Sequence, residues 1–356
     1  MSSFDILSSI GPDRERWIEA LNSMPAECQD MHFHPDYMQI YASTYDSKVA
    51  LILMENDDAL VMQPIIICEI GDGRFCDMTS VYGYGGPLAS KPLSKKIVNE
   101  FHDAITSWAK QSQIVSEYCI LHPFLSGLQK EILPENTDVF YRKEIVSGDL
   151  TIPLSKIWER IEDRQRKAIL SARKKNITIE LSDGSQHDYA NFHSRYLDTM
   201  QKVQATSFWH FPDDYFWNCC AHLGAENATL LHAKLDGETL ASVFHVHQND
   251  TVYYHFSCSN ESAQKLNPVP LLLFDSILWA KSEGFSNFHM GGGYTDTADS
   301  LFYFKSAYFN NTVSLYAYRR IFDEERYKFL TEEKKRQETA ELGAPKETEF
   351  FPRYRA

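Results

Sequence analysis

A mixed α+β fold, built twice over in one chain, is what this sequence predicts, and three observations carry the prediction. The tripeptide Trp108-Ala109-Lys110 recurs as Trp279-Ala280-Lys281, and 279 minus 108 gives an offset of 171, about half of the 356 residues. Each copy ends an amphipathic helical stretch that follows a Gly- or Pro-containing loop and precedes an apolar strand pattern. Upstream of each lies a hairpin pattern, two strand-like runs joined by a short polar turn. A strand-loop-helix-strand crossover requires a locally parallel pair among antiparallel strands, so each half should be a mixed, mostly antiparallel sheet flanked by helices.

In the first half, helical patterns over residues 12–22 and 35–45 lead into strand runs at Val49–Met54 and Ala59–Ile67, turned by Asn56-Asp57-Asp58. Ile97, Val98, Phe101, Ala104, Ile105, Trp108 and Ala109 then recur at helical spacing. The second half repeats this order. Helices are expected over 154–176 and 188–203, and strands over Ala228–Leu235 and Thr239–Val246 around the turn Asp236-Gly237-Glu238. A further helix through Leu271, Phe274, Ile277, Leu278 and Trp279 should stop at Gly284. These patterns place one domain at 1–150, a second at 151–325, and a charged helix and tail over 326–356.

With 43% hydrophobic and 13% aromatic residues, the chain can bury a large core. No apolar run approaches the ~20 residues of a membrane span, so no integral membrane segment is expected. The start Met1-Ser-Ser-Phe-Asp-Ile lacks the basic region and apolar core of a secretory signal, which predicts a cytoplasmic location. Seven scattered cysteines without Cys-x-x-Cys spacing support neither a disulfide framework nor a zinc knuckle. The net charge of −14 argues against DNA as a partner, although a local basic patch can sit on an acidic body.

The stretch richest in chemistry is residues 288–309. Gly291, Gly292 and Gly293 follow an apolar strand and allow positive φ and close approach of a ligand to the main chain. Thr295, Asp296, Thr297, Asp299 and Ser300 come next, then Phe304-Lys305, and Lys305 is the only lysine or arginine between Lys281 and Arg319. A second glycine loop, Tyr82-Gly83-Tyr84-Gly85-Gly86-Pro87, lies in the first half. Between Glu159 and Asn176 a basic helix gathers Arg160, Arg164, Arg166, Lys167, Arg173, Lys174 and Lys175, with Ile161, Ala168, Ile169 and Ala172 as its apolar stripe.

The element order resembles the GCN5-related N-acetyltransferase (GNAT) fold. The tandem copy resembles the Fem family of peptidoglycan-bridge aminoacyl transferases and their FemAB-like relatives. The matching motifs, in order, are Tyr82 to Pro87, the basic helix Arg164 to Lys175, Gly291 to Gly293 with Phe304-Lys305, and the tail Phe351 to Arg355. The resemblance spans almost the whole chain and implies tandem GNAT-like domains and an acyltransferase. One departure stands out. Single-domain acetyltransferases hold the coenzyme A pyrophosphate on a Gln/Arg-x-x-Gly-x-Gly/Ala loop, whereas the corresponding stretch here is Gln264-Lys265-Leu266-Asn267-Pro268-Val269-Pro270. Both glycines are missing, and each proline removes an N–H donor.

Acyl transfer to an amine needs a positioned nitrogen, a route for its proton, and a cation or N–H facing the developing oxyanion. The resemblance assigns Lys305 as that cation. Asp296, Asp299 or Asp77 would orient the amine or take its proton. Arg164 and Arg173 would grip a diphosphate through bidentate hydrogen bonds, and Tyr82, Gly83, Tyr84, Gly85, Gly86, Gly291, Gly292, Gly293 and Tyr254 would line the substrate path. Covalent catalysis has little support, since no Gly-x-Ser-x-Gly elbow is present and Cys219-Cys220 reads as core. His245 and His247 share a strand face, but spacing offers no third ligand, so no metal is expected.

The expected reaction is transfer of an acyl or aminoacyl group to an amine of a cell-envelope or polysaccharide precursor, a nucleotide-linked sugar, a muropeptide or a lipid-linked saccharide. The donor is an aminoacyl-tRNA or an acyl-coenzyme A, with no tightly bound cofactor. Two other readings stay open: an acetyl-coenzyme A-dependent sugar N-acetyltransferase, and a non-catalytic GNAT-like binding module that kept the fold and lost the chemistry.

Overall fold

The computed structural model describes residues 3–224 and 227–356. It divides into unit 1, the chain up to Arg142 together with Leu315–Ala356, and unit 2, Lys143–Ser314.

Unit 1 begins with β1 (Ser3–Ser8), α1 (Pro12–Asn22) and α2 (Pro35–Thr44). The hairpin β2 (Lys48–Glu55) and β3 (Leu60–Ile70) follows, then β4 (Phe75–Thr79) and the short β5 (Leu88–Ala89). The long α3 (Lys95–Gln111) returns the chain to β6 (Ile114–Ile120), and α4 (Ser126–Glu131) precedes β7 (Asp138–Asp149). β1, β2, β3 and β4 pair antiparallel in sequence order. Because α3 crosses over, β6 joins β4 parallel, the one geometry a helical crossover permits. Phe101, Ile105 and Ala109 of α3 are fully buried against Ile52, Val61, Ile65 and Met78, and Trp108 packs at the margin of that core.

Unit 2 repeats the plan. It contains α5 (Leu154–Arg160), α6 (Asp163–Lys174), β8 (Thr178–Leu181), α7 (Gln186–Lys202) and α8 (Tyr215–Leu223). Then come β9 (Ala228–Leu235), β10 (Glu238–Gln248), β11 (Thr251–Ser259), α9 (Pro268–Ser282), β12 (Asn287–Gly291) and α10 (Ser300–Ser306). β8, β9, β10 and β11 pair antiparallel, and β12 joins β11 parallel after the α9 crossover. Leu271, Phe274, Ile277 and Ala280 of α9 fill the core, with Trp279 again at its margin. The predicted duplication of a mixed, mostly antiparallel sheet is therefore present, with the two tryptophans at corresponding helix ends.

The boundaries differ from those read in the sequence. Residues 146–149 of β7 pair with β12 in unit 2, while residues 317–321 of β13 (Thr312–Ile321) pair with β6 in unit 1. Each unit thus takes its last antiparallel strand from the far side of its sequence boundary, which moves the divisions from 150 and 325 to 142 and 314. The segment 326–356 is part of unit 1 rather than a separate tail. After α11 (Glu324–Leu342), the Tyr354 hydroxyl meets Ser116 Oγ at 2.7 Å, and Arg353 pairs with the buried Glu338 at 2.6 Å.

A buried polar network holds β13 in place. The Glu117 carboxylate accepts from Gln63 (2.5 Å), the Tyr318 hydroxyl (2.6 Å) and Arg320 Nε (2.7 Å). Arg320 also approaches His102 Nδ1 at 2.6 Å. Burial, assisted by the Arg320 charge, drives the His102 imidazole down to about 3, so it stays neutral and accepts.

The helix expected over 154–176 is interrupted. Ile161 turns extended, buries its side chain to 1% exposure, and Glu162 donates its N–H to Ala307 O at 2.8 Å instead of continuing a helical ladder. The basic helix is consequently α6.

Candidate functional site

β12 ends in a left-handed Gly291 (φ +71°) just after a register shift. A Cβ at 291 would lie 3.5 Å from Lys305 Nζ, and one at 293 would overlap the Asp299 carboxylate, so both positions need glycine for different reasons. The loop then enters α10, which Asp299 caps: its carboxylate accepts from Leu301 N and Phe302 N, both at 3.0 Å, and from Thr295 N at 3.0 Å. Burial opposes ionisation of Asp299, yet those backbone N–H groups hold its carboxyl below the ordinary range.

Lys305 lies in the last turn of α10 among partly buried Phe302 and Phe304 and fully buried Tyr308 and Phe309. Its side chain is only 7% exposed, and Nζ donates to Gly292 O at 2.8 Å while standing 5.5 Å from the centre of the Tyr254 ring. Burial first, and the charge of Lys143 second, lower its pKa to about 7, with Asp299 opposing. The buried amine therefore releases its proton far more readily than an ordinary lysine. An ammonium has three N–H groups; Gly292 O takes one, and the others can serve an incoming oxygen.

Lys143 is the site residue the sequence did not disclose. On β7, it donates to Gly293 O at 3.1 Å and Thr295 O at 3.2 Å, and its methylenes lie 3.1–3.2 Å from where a Cβ at 292 would sit. Two lysines thus bracket one glycine loop through its carbonyls. The pattern Tyr-Arg-Lys-Glu offered no signal, because the contact depends on β7 joining unit 2.

The other sequence candidates fall into four groups. Tyr254 joins the site: its hydroxyl donates to Ser257 Oγ at 2.6 Å, and burial pushes it up to about 12. Asp296 is exposed on the loop between Gly293 and Asp299. On α6, Arg164 is exposed, whereas Arg173 pairs with Asp275 of α9 at 2.7 Å and stacks over Phe274. Arg173 therefore serves helix packing in this structure, and Lys175, donating to Lys265 O at 2.8 Å, does likewise.

Asp77 and Tyr82–Gly86 belong to unit 1. Asp77 is 5% exposed and bound by Arg355 through both carboxylate oxygens at 2.5 and 2.9 Å. Burial raises its carboxyl above the ordinary range despite that guanidinium. The glycines after β4 make room for side chains of their own unit: a Cβ at Gly83 (φ +101°) would collide with His32 Nε2, at Gly85 with Ser80, and at Gly86 (φ +104°) with Gln129. Gly85 N donates to Ile120 O at 2.8 Å and Gly85 O accepts from Gln129 at 2.7 Å, so these backbone groups are engaged internally.

The start of α9 also has a defined geometry. Asn267 is left-handed, Pro268 opens the helix, and Pro270 O accepts from the Tyr308 hydroxyl at 3.1 Å. Two of the first three residues of this helix have no N–H to offer a phosphate.

A family model described as an acetyltransferase (GNAT) domain matches residues 159–305, a span ending at Lys305. A search of curated proteins found no match. Among solved structures, FemX is 12% identical with a TM-score of 0.67, covering 91% of this chain and 99% of FemX. The C-terminal domain of a putative lysylphosphatidylglycerol synthetase from Agrobacterium fabrum is 13% identical with a TM-score of 0.55, covering 88% and 93%. A tandem GNAT protein from the clavulanic acid biosynthesis pathway is 8% identical with a TM-score of 0.52, covering 90% and 99%. Residues 159–305 therefore match a GNAT acetyltransferase domain, and the chain shares its fold with FemX and with a tandem GNAT protein. Among the described residues, no helix is long and apolar enough to cross a membrane.

Proposed function

We propose that this chain, with its GNAT acyltransferase domain on a FemX-like fold, transfers an acyl or aminoacyl group to an amine of a cell-envelope or polysaccharide precursor. The observation that carries the reading is Lys305, buried on the glycine loop with its pKa lowered to about 7. The acceptor amine attacks the donor carbonyl, a C–N bond forms, and negative charge develops on the carbonyl oxygen. The Lys305 ammonium meets that oxygen in a site of low dielectric, where one cation is worth more than in water. The exposed Asp296 takes the proton of the amine, the donor's C–O or C–S bond breaks, and that proton passes to the leaving oxygen or sulfur. Asp299 and Lys143 keep the loop in shape.

The donor is an aminoacyl ester such as aminoacyl-tRNA. The proline-interrupted start of α9 lacks the N–H array that grips a coenzyme A pyrophosphate, and the Fem resemblance points the same way. Acyl-coenzyme A is the second reading, favoured by the GNAT domain match itself. Arg164, exposed on α6, binds the diphosphate of a nucleotide-linked or lipid-linked acceptor in the cytoplasm.

The test is transfer to a nucleotide-linked muropeptide with each donor, in wild type and Lys305→Met. Methionine keeps the apolar stem, so folding should persist while turnover falls ~10²-fold or more, the scale of losing one preorganised oxyanion donor. Unchanged turnover in a folded variant removes Lys305 from the mechanism. Absence of transfer from either donor favours the non-catalytic binding reading.

A further inference from the structure

Unit 1 contains a cluster of ligating side chains that the transfer chemistry does not use. Asp30 caps the single helical turn Met31–Phe33, accepting from His32 N at 3.0 Å. His32 Nδ1 stands 2.5 Å from Asp30 Oδ1, and His122 Nε2 stands 3.8 Å from Asp30 Oδ2. One ligand atom from each of the three lies within 4.8 Å of the others. All three side chains are buried, at 5%, 3% and 2% exposure.

We propose that Asp30, His32 and His122 form a binding site for a divalent transition-metal ion of the zinc type. Two imidazoles and one carboxylate are a recurrent ligand set for such ions. With metal-ligand bonds of ~2.0–2.2 Å, tetrahedral ligand atoms sit ~3.3 Å apart, so side-chain shifts of ~1.5 Å close the site.

The surroundings hold these ligands from outside. His122 N donates to Gln129 Oε1 at 2.9 Å, and Gln129 in turn donates to Gly85 O at 2.7 Å. Tyr37 and Tyr84 pack on the His32 ring at centroid distances of 5.4 and 5.1 Å. Gly83 leaves room for that ring where any Cβ would strike it. Support of this kind around first ligands is what fixes a metal site. On this reading the first glycine loop is shaped around a metal centre. The sequence expectation of no metal considered His245 and His247, whereas this set joins positions 30, 32 and 122, which no local spacing reveals.

The experiment uses untagged full-length protein stripped with a chelator, so its outcome is independent of transfer activity. Zinc titrated against a chromophoric chelator should give one tight site per chain. Cobalt should give visible ligand-field bands without thiolate charge-transfer absorption, and zinc should displace them. Asp30→Asn and His122→Gln should weaken zinc binding at least ~10- to 100-fold. No stoichiometric uptake by wild type overturns the proposal, as does equal affinity in folded variants. Should both variants fail to fold, the wild-type cobalt spectrum decides: nitrogen and oxygen ligation supports the site, and thiolate bands or no bands refute it.

Discussion

The molecule carries two glycine loops that look alike in sequence and differ in what they accommodate. In unit 1, Gly83, Gly85 and Gly86 let the backbone settle against His32, Ser80 and Gln129, side chains of its own interior. In unit 2, Gly291 and Gly292 make room for the amines and stems of Lys305 and Lys143, and the loop beyond them runs exposed from Tyr294 to Ala298. Glycine spacing announces that something comes close to the main chain. It does not say whether the visitor is the protein's own core or a reacting group.

The largest expected effect should mark unit 1 as a structural unit. Glu117→Ala leaves Arg320 buried without its carboxylate and should cost about 3–5 kcal/mol, read as a lost or lowered unfolding transition in urea. A change below about 1 kcal/mol would show that the network is slack. Next, Gly83→Ala forces a side chain into left-handed backbone against His32 and should cost about 2–4 kcal/mol by the same measurement.

Gly292→Ala sharpens the contrast. Its Cβ would press on the Lys143 stem and Glu144 O at 3.1–3.3 Å, so stability should move little while turnover falls about tenfold or more. If Gly83→Ala lowered turnover without touching stability and Gly292→Ala did the reverse, the two loops would have been assigned the wrong way round. A smaller effect belongs to Arg164→Ala, which should raise the acceptor KM about tenfold, ~1.4 kcal/mol, with an unchanged melting temperature. Acid lability should be common to both units. Burial lowers His102 in unit 1 and His245 in unit 2 to about 3, so the unfolded chain binds protons that the native chain refuses. Stability should hold above pH ~6.5 and decline as pH falls from there toward 3.

What was legible in the sequence was local. The duplicated order and Lys305 isolated beyond three glycines depend on neighbours a few positions apart, whereas Asp299, expected to orient the amine or take its proton, caps α10. Asp77 and the Phe351 to Arg355 tail were each singled out, but their mutual ion pair joins positions 278 apart, and nothing in either stretch named the other. Lys143 stayed hidden for the same reason. It reaches the loop from β7, whose residues 146–149 pair with β12, a strand about 140 positions later in the chain. The break at Ile161 was hidden too, since the hydrogen bond that Glu162 N makes there is to Ala307 O, far along the chain.

The central claim is that Lys305 acts as a reacting cation whose proton affinity is set by burial and by Lys143. Its most direct test is the pH dependence of single-turnover transfer in wild type and in Lys143→Met. Because the folded pKa lies at about 7, the wild-type rate should fall as pH rises through that value and the ammonium is lost. Removing the Lys143 charge leaves burial as the lowering influence, so the falling limb should move to higher pH. A profile that stays flat through pH 7 in wild type, or a limb that does not move in Lys143→Met, would contradict the account.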